Sequence, residues 1–97
     1  MIDMSEFLDI CSTLNQINLS NIKEQKRARM ALVVTHDSKL ESKNISKMGE
    51  YYMTFTVIDP TVNFATRCSL FTKNFVSDLS FLKGDIIIGK FYVYNNI

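Results

Sequence analysis

The sequence has no tryptophan, a single proline, three glycines, two cysteines and one histidine in 97 residues. So little proline and glycine leaves few tight turns, and the chain must be built from long elements. Cys11 and Cys68 lie far apart and form no CxxC pair, which leaves no basis for a zinc ribbon or a disulfide framework; both are expected as reduced thiols. His36 has no serine or cysteine partner at a recognisable spacing, and neither HExxH nor a glycine-rich phosphate loop is present. Nucleophilic, metal-dependent and nucleotide-cradling catalysis therefore have no residues to act through, and the expectation is a non-enzyme with no metal and no cofactor. No apolar run approaches the ~18 residues of a membrane span, and MIDMSEFLDI carries acids where a secretory signal needs basic residues. The expected setting is the cytosol or nucleus, without membrane contact. A net charge of +1, from 11 basic and 10 acidic residues, sets up no global positive field. Any binding to a polyanion must rest on local arrangement.

What is present is ordinary core-forming material. With 46% hydrophobic and 22% charged residues, the chain lies far from the balance that keeps sequences disordered, and its length supports one core. Seven phenylalanines and four tyrosines supply β-forming bulk.

Along the chain, Phe7, Leu8, Ile10, Cys11 and Leu14 recur at helical spacing between Ser5 and Asn15, which predicts a short amphipathic helix capped by Asp3 or Ser5. Residues 15–24 are rich in Asn and Ser and read as a lead-in. Gln25 to His36 opens with the basic cluster Lys26, Arg27 and Arg29 and runs on through Met30, Ala31, Leu32, Val33 and Val34 as a first strand. Residues 37–49 form a polar loop carrying Lys39, Lys43 and Lys47. EYYMTFTVID, residues 50–59, alternates as a second strand with Tyr51, Met53, Phe55 and Val57 on the core face and Tyr52, Thr54, Thr56 and Ile58 outward. Asp59-Pro60-Thr61 supplies a turn, and residues 64–72 return as a hairpin partner with Arg67, Ser69 and Phe71 opposite Thr66, Cys68 and Leu70. Asn74 then caps a predicted helix of about two turns through Leu82, stopped by Gly84. Residues 85–94 form a fourth strand in which Gly89 marks an expected bulge or bend.

The expected class is all-β with a short helix. The order strand, strand, strand, helix, strand is that of the OB-fold, a five-stranded Greek-key barrel, here without its last strand. Residues 1–24 would be the N-terminal helix and lead-in, and residues 25–97 the barrel domain.

MTFTVIDPT, then RCSLFTK, then LKGDIIIGKFYVYN, preceded by ARMALVVTH and TLNQI, resembles the first OB-fold of protection-of-telomeres proteins and telomere end-binding α subunits. The similarity spans roughly residues 13–95. It implies a module of the nucleus, at chromosome ends, that binds G-rich single-stranded telomeric DNA, with a telomere-complex subunit as a further partner or strand donor. Carried over by motif, Phe71 is the stacking platform, Ser69 and Arg67 share its face, and His36 and Lys39 occupy the contact segment after the first strand. The family's glycine before the Val-Val pair is absent here, and its basic residues after GDI are reduced to Lys90.

Strand alternation puts Tyr52 and Thr54 outward beside the Phe71 strand. On the fourth strand Tyr92 and Tyr94 alternate with Phe91 and Val93, so one pair faces in and the other out, and the favoured reading sets Lys90 and Tyr92 outward, where they would extend the aromatic platform. Lys26, Arg27 and Arg29 rank behind them. Two alternatives accompany this expectation: a general single-stranded DNA or RNA binder, and a protein assembly module that uses the edge left by the missing strand, with Phe71 and the tyrosines as interface anchors.

Overall fold

The computed structural model describes Asn15, residues 19–22 and residues 27–92. Their architecture is all-β and antiparallel, with strands β1 (Arg27–Val34), β2 (Ser38–Lys39), β3 (Tyr51–Asp59), β4 (Phe64–Thr72), β5 (Ser80–Phe81) and β6 (Ile86–Tyr92). The four long strands make one sheet in the order β4-β3-β1-β6, and β2 pairs with β5 in a small second ribbon. The helix expected before residue 15 falls outside the described residues.

Strand alternation builds the core directly. Ala28, Met30, Leu32 and Val34 of β1 and Met53, Phe55 and Val57 of β3 are buried on one face, with Leu40 beside them. Cys68 and Leu70 of β4, Ile87 and Phe91 of β6, and Leu79 and Phe81 pack around this centre half-buried. β3 and β4 pair rung for rung from Tyr51 opposite Thr72 to Asp59 opposite Phe64. Between them Pro60 fixes the first turn position, the Val62 N–H donates to the Asp59 carbonyl at 3.4 Å, and Asn63 takes a left-handed φ of 52°.

β3 and β1 overlap only briefly, at Val33 opposite Ile58 and Val34 opposite Val57. β3 ends at Asp59 and Pro60 has no N–H to offer, so β1 needs another partner beyond that point. Asn15 supplies it. Its side-chain Oδ1 accepts from the Ala31 N–H at 2.7 Å and its Nδ2 donates to the Ala31 carbonyl at 3.0 Å, as a neighbouring peptide would.

Two expectations are corrected. The helix predicted over residues 74–82 is not formed, and no helix occurs among the described residues. Asp78 takes a left-handed φ of 68°, which interrupts helical dihedrals. Leu79 and Phe81, two residues apart, both reach the core from extended chain, and Phe81 meets Phe55 edge-on with ring centroids 4.9 Å apart. That period of two suits a strand, and so short a helix has little stability of its own to oppose it. Phe75, Val76 and Leu82, which a helix would have turned inward, are exposed. Gly84, with a φ of 93°, serves a turn whose N–H donates to the Val34 carbonyl at 2.8 Å.

Gly89 marks no bulge. β6 pairs with β1 without interruption from Ile86 opposite Val33 to Tyr92 opposite Arg27, with Gly89 opposite Met30. A Cβ built on Gly89 would meet nothing within 4 Å, so neither a close approach nor a break in pairing requires the glycine.

Candidate functional site

The candidate residues sort themselves by which face of the sheet they leave open. Opposite the core, the β3–β4 hairpin presents three rungs: Tyr52 with Phe71, Thr54 with Ser69, and Thr56 with Arg67. Directly opposed side chains on one face stand ~5 Å apart at Cβ, so these six residues form one continuous patch. Phe71 is 57% exposed, and its ring lies against that of Tyr52 with centroids 6.1 Å apart and planes tilted by 37°. Tyr52 thus braces one side of the platform and leaves the rest of the Phe71 ring open. No carboxylate among the described residues pairs with Arg67.

His36 stands at the margin of this patch. The Thr35 N–H donates to the Thr56 carbonyl at 3.0 Å, and the Thr35 hydroxyl lies 2.8 Å from His36 Nδ1, which ties the imidazole to the Thr56–Arg67 rung. Lys39 is exposed on β2, held there by the pairing of β2 with β5. The same region is closed by the Asp37 carboxylate, which accepts from the Lys83 N–H at 2.8 Å. Lys43 pairs with Glu41 at 3.3 Å on the open loop, where such pairs contribute little.

Lys90 and Tyr92 are outward as expected, but they do not extend the Phe71 platform. One rung crosses the whole sheet: Ala65, Ile58, Val33 and Ile86. Phe71 lies along β4 to one side of it, and Tyr92 lies along β6 to the other, because β4 and β6 run in opposite directions. At ~3.3 Å per residue each aromatic is roughly 20 Å from that rung. The strand sequences disclose the alternation within each strand, but not this stagger between them. The register also places Arg27 opposite Tyr92 and Arg29 opposite Lys90, so two residues of secondary rank in the sequence join the face. Their spacing of two along one strand was the available signal.

Two titratable groups of the sheet, Cys68 and Asp59, are turned into the fold. Burial pushes the Cys68 thiol up to about 11, which keeps it protonated and poorly nucleophilic. Asp59 is fully buried, and burial by itself would raise its pKa. Hydrogen bonds from the Thr61 hydroxyl, the Leu19 and Thr61 N–H groups and Asn15 outweigh burial and hold the carboxyl below its ordinary value. No cluster of three or more His, Cys, Asp or Glu side chains able to hold a metal occurs among the described residues. The patch offers an open ring, hydroxyls and an exposed guanidinium: a surface for stacking and hydrogen bonding.

No family model, curated protein or solved structure matches this chain.

Proposed function

We propose that this chain is an OB-fold module that binds single-stranded nucleic acid on the outward face of its β3–β4 hairpin. The observation that carries the proposal is Phe71, more than half exposed and backed by Tyr52 on a face shared with Ser69, Thr54 and Arg67. Base stacking on such a ring stabilises by ~1–3 kcal/mol per base, and polar neighbours hold base edges and phosphates. The strand order supports the fold assignment. Counting the long strands in chain order, the sheet runs third, second, first, fourth, and its open edges are the two between which a fifth strand closes an OB barrel. The resemblance of the strand motifs narrows the ligand to G-rich single-stranded telomeric DNA, and the setting to chromosome ends in the nucleus.

The test is fluorescence anisotropy at fixed moderate salt with a G-rich telomeric single strand, its C-rich complement and the G-rich RNA, for the wild type and Phe71→Ala. Preference for the G-rich DNA, lost in a folded Phe71→Ala, is the expected result. Equal binding to all three would replace the telomeric assignment with general single-strand binding. No binding by a folded protein would end both.

A second proposal, protein assembly, rests on a different observation. β4 and β6 are edges with no strand beyond them among the described residues, and Ile86 and Ile88 are 45% and 50% exposed on β6. Open edges with apolar flanks recruit strands from partners. Oligomerisation that rises with concentration, without nucleic-acid affinity, would favour it.

A further inference from the structure

We infer that Arg27, Arg29 and Lys90, with Tyr92, form a second contact region on the same face, one that holds phosphates of the strand whose bases stack at Phe71. The inference rests on the nucleic-acid proposal and adds to it a division of labour between the two ends of the sheet.

The register sets Arg29 directly opposite Lys90, and Arg27 directly opposite Tyr92. Like charges facing each other across antiparallel strands destabilise the sheet, so Arg29 and Lys90 are a local choice that works against the fold. No described carboxylate neutralises them: the ion pair formed among the described residues joins Lys43 and Glu41 elsewhere. A pair that conflicts with stability, with no compensating carboxylate among the described residues, is where function is expected. A polyanion turns the conflict into attraction, since each phosphate placed between the two cations screens their repulsion and releases a counterion.

Arg27 fits the same role. Its guanidinium sits over the Tyr92 ring, 5.7 Å from the centroid, which orients the planar fork without using its N–H donors. Tyr92 is itself half exposed and adds an apolar and hydroxyl surface beside the cations. The composition differs from the Phe71 end in kind. There the patch is one ring pair, hydroxyls and a single arginine; here it is Arg27 over the Tyr92 ring with the Arg29–Lys90 rung beside it. The first arrangement favours bases and the second favours the sugar-phosphate backbone. Between them lies the apolar rung Ala65, Ile58, Val33 and Ile86, with Ile88 next to it on β6, which offers contact area but no charge.

The test compares the salt dependence of binding to one single-stranded DNA for four proteins: wild type, Phe71→Ala, the double variant Arg29→Ala with Lys90→Ala, and Lys90→Arg. Loss of two phosphate contacts should reduce the magnitude of the slope of log K against log salt by about 1.4 in the double variant. Phe71→Ala should weaken binding with its slope unchanged, and Lys90→Arg should retain the wild-type slope. Thermal unfolding of the double variant should show a melting temperature equal to or above wild type, because the facing like charges are gone. A double variant that is folded and keeps the wild-type slope and affinity would overturn the inference while leaving stacking at Phe71 intact. A wild type that binds no single strand would instead remove the nucleic-acid proposal on which it rests.

Discussion

Asn15 donates from its side-chain amide to the carboxylate of Asp59, 3.0 Å away and 44 positions along the chain. Both side chains are buried, and each makes further hydrogen bonds. Asn15 also bonds both polar groups of the Ala31 peptide, while Asp59 accepts from the Leu19 N–H at 3.1 Å, the Thr61 N–H at 2.9 Å and the Thr61 hydroxyl at 2.6 Å. One polar knot thereby joins the N-terminal segment, the first strand and the hairpin turn at the point where β1 and β3 separate.

Asn15→Ala should destabilise the domain by roughly 2–4 kcal/mol, because it strands the Ala31 peptide groups and removes a donor from a buried carboxylate. Asn15→Asp should cost at least as much, since a carboxylate cannot donate to the Ala31 carbonyl and faces a second carboxylate at Asp59. Urea unfolding followed by circular dichroism measures both. A midpoint unchanged in Asn15→Ala would show that the knot is solvated in solution.

Acid should weaken the fold through Asp59. Its folded pKa lies below the ordinary 3.8, so the unfolded chain binds the proton more readily. The contribution is therefore complete above about pH 4 to 5 and is lost as pH falls through the folded value. The urea midpoints of wild type and Asp59→Asn should converge as pH falls from about 5 through the folded pKa. A difference that stays constant over that range would assign the acid sensitivity to other carboxylates.

Phe71→Ala should separate binding from stability. The exposed ring contributes little to the core, so unfolding should shift by no more than about 0.5 kcal/mol. Loss of one stacked base should weaken single-strand binding by ~1–3 kcal/mol, roughly 5- to 150-fold. Equal losses in both measurements would make Phe71 a packing residue.

Gly89→Ala should stabilise the protein by about 0.4–1 kcal/mol, through the lower conformational freedom of the unfolded chain. The space around Gly89 is open and its φ is not left-handed, so the methyl group meets no obstacle. A fall in melting temperature would reveal a requirement for glycine that the uninterrupted β1–β6 pairing does not show.

Legibility in the sequence followed the range of the interaction responsible. The hairpin was readable because its signals are local: period-two alternation from Tyr51 to Val57 and from Thr66 to Phe71, and a turn whose Pro60 and Asp59 set backbone geometry within four residues. The same alternation placed Phe71, Arg67 and Ser69 on the outward face. The segment after Thr72 reads locally as a helix because Phe75, Val76, Leu79 and Leu82 fit a helical period equally well. Contacts with Leu40 and Phe55, far away in sequence, favour extended chain there.

Asp59 shows the same division within one residue. By itself the sequence determined the alternating strands, the tight hairpin, and the role of Asp59 in its own turn, since each depends on neighbours a few positions away. Only the tertiary structure decided that Asp59 also anchors Asn15 and Leu19, that Arg29 faces Lys90, and that Phe71 and Tyr92 stand at opposite ends of the sheet. Those relationships arise from where β1 and β3 part, from the register of β6 on β1 and from the opposed directions of β4 and β6, and register between distant strands is set by core packing and turn geometry that no local pattern records.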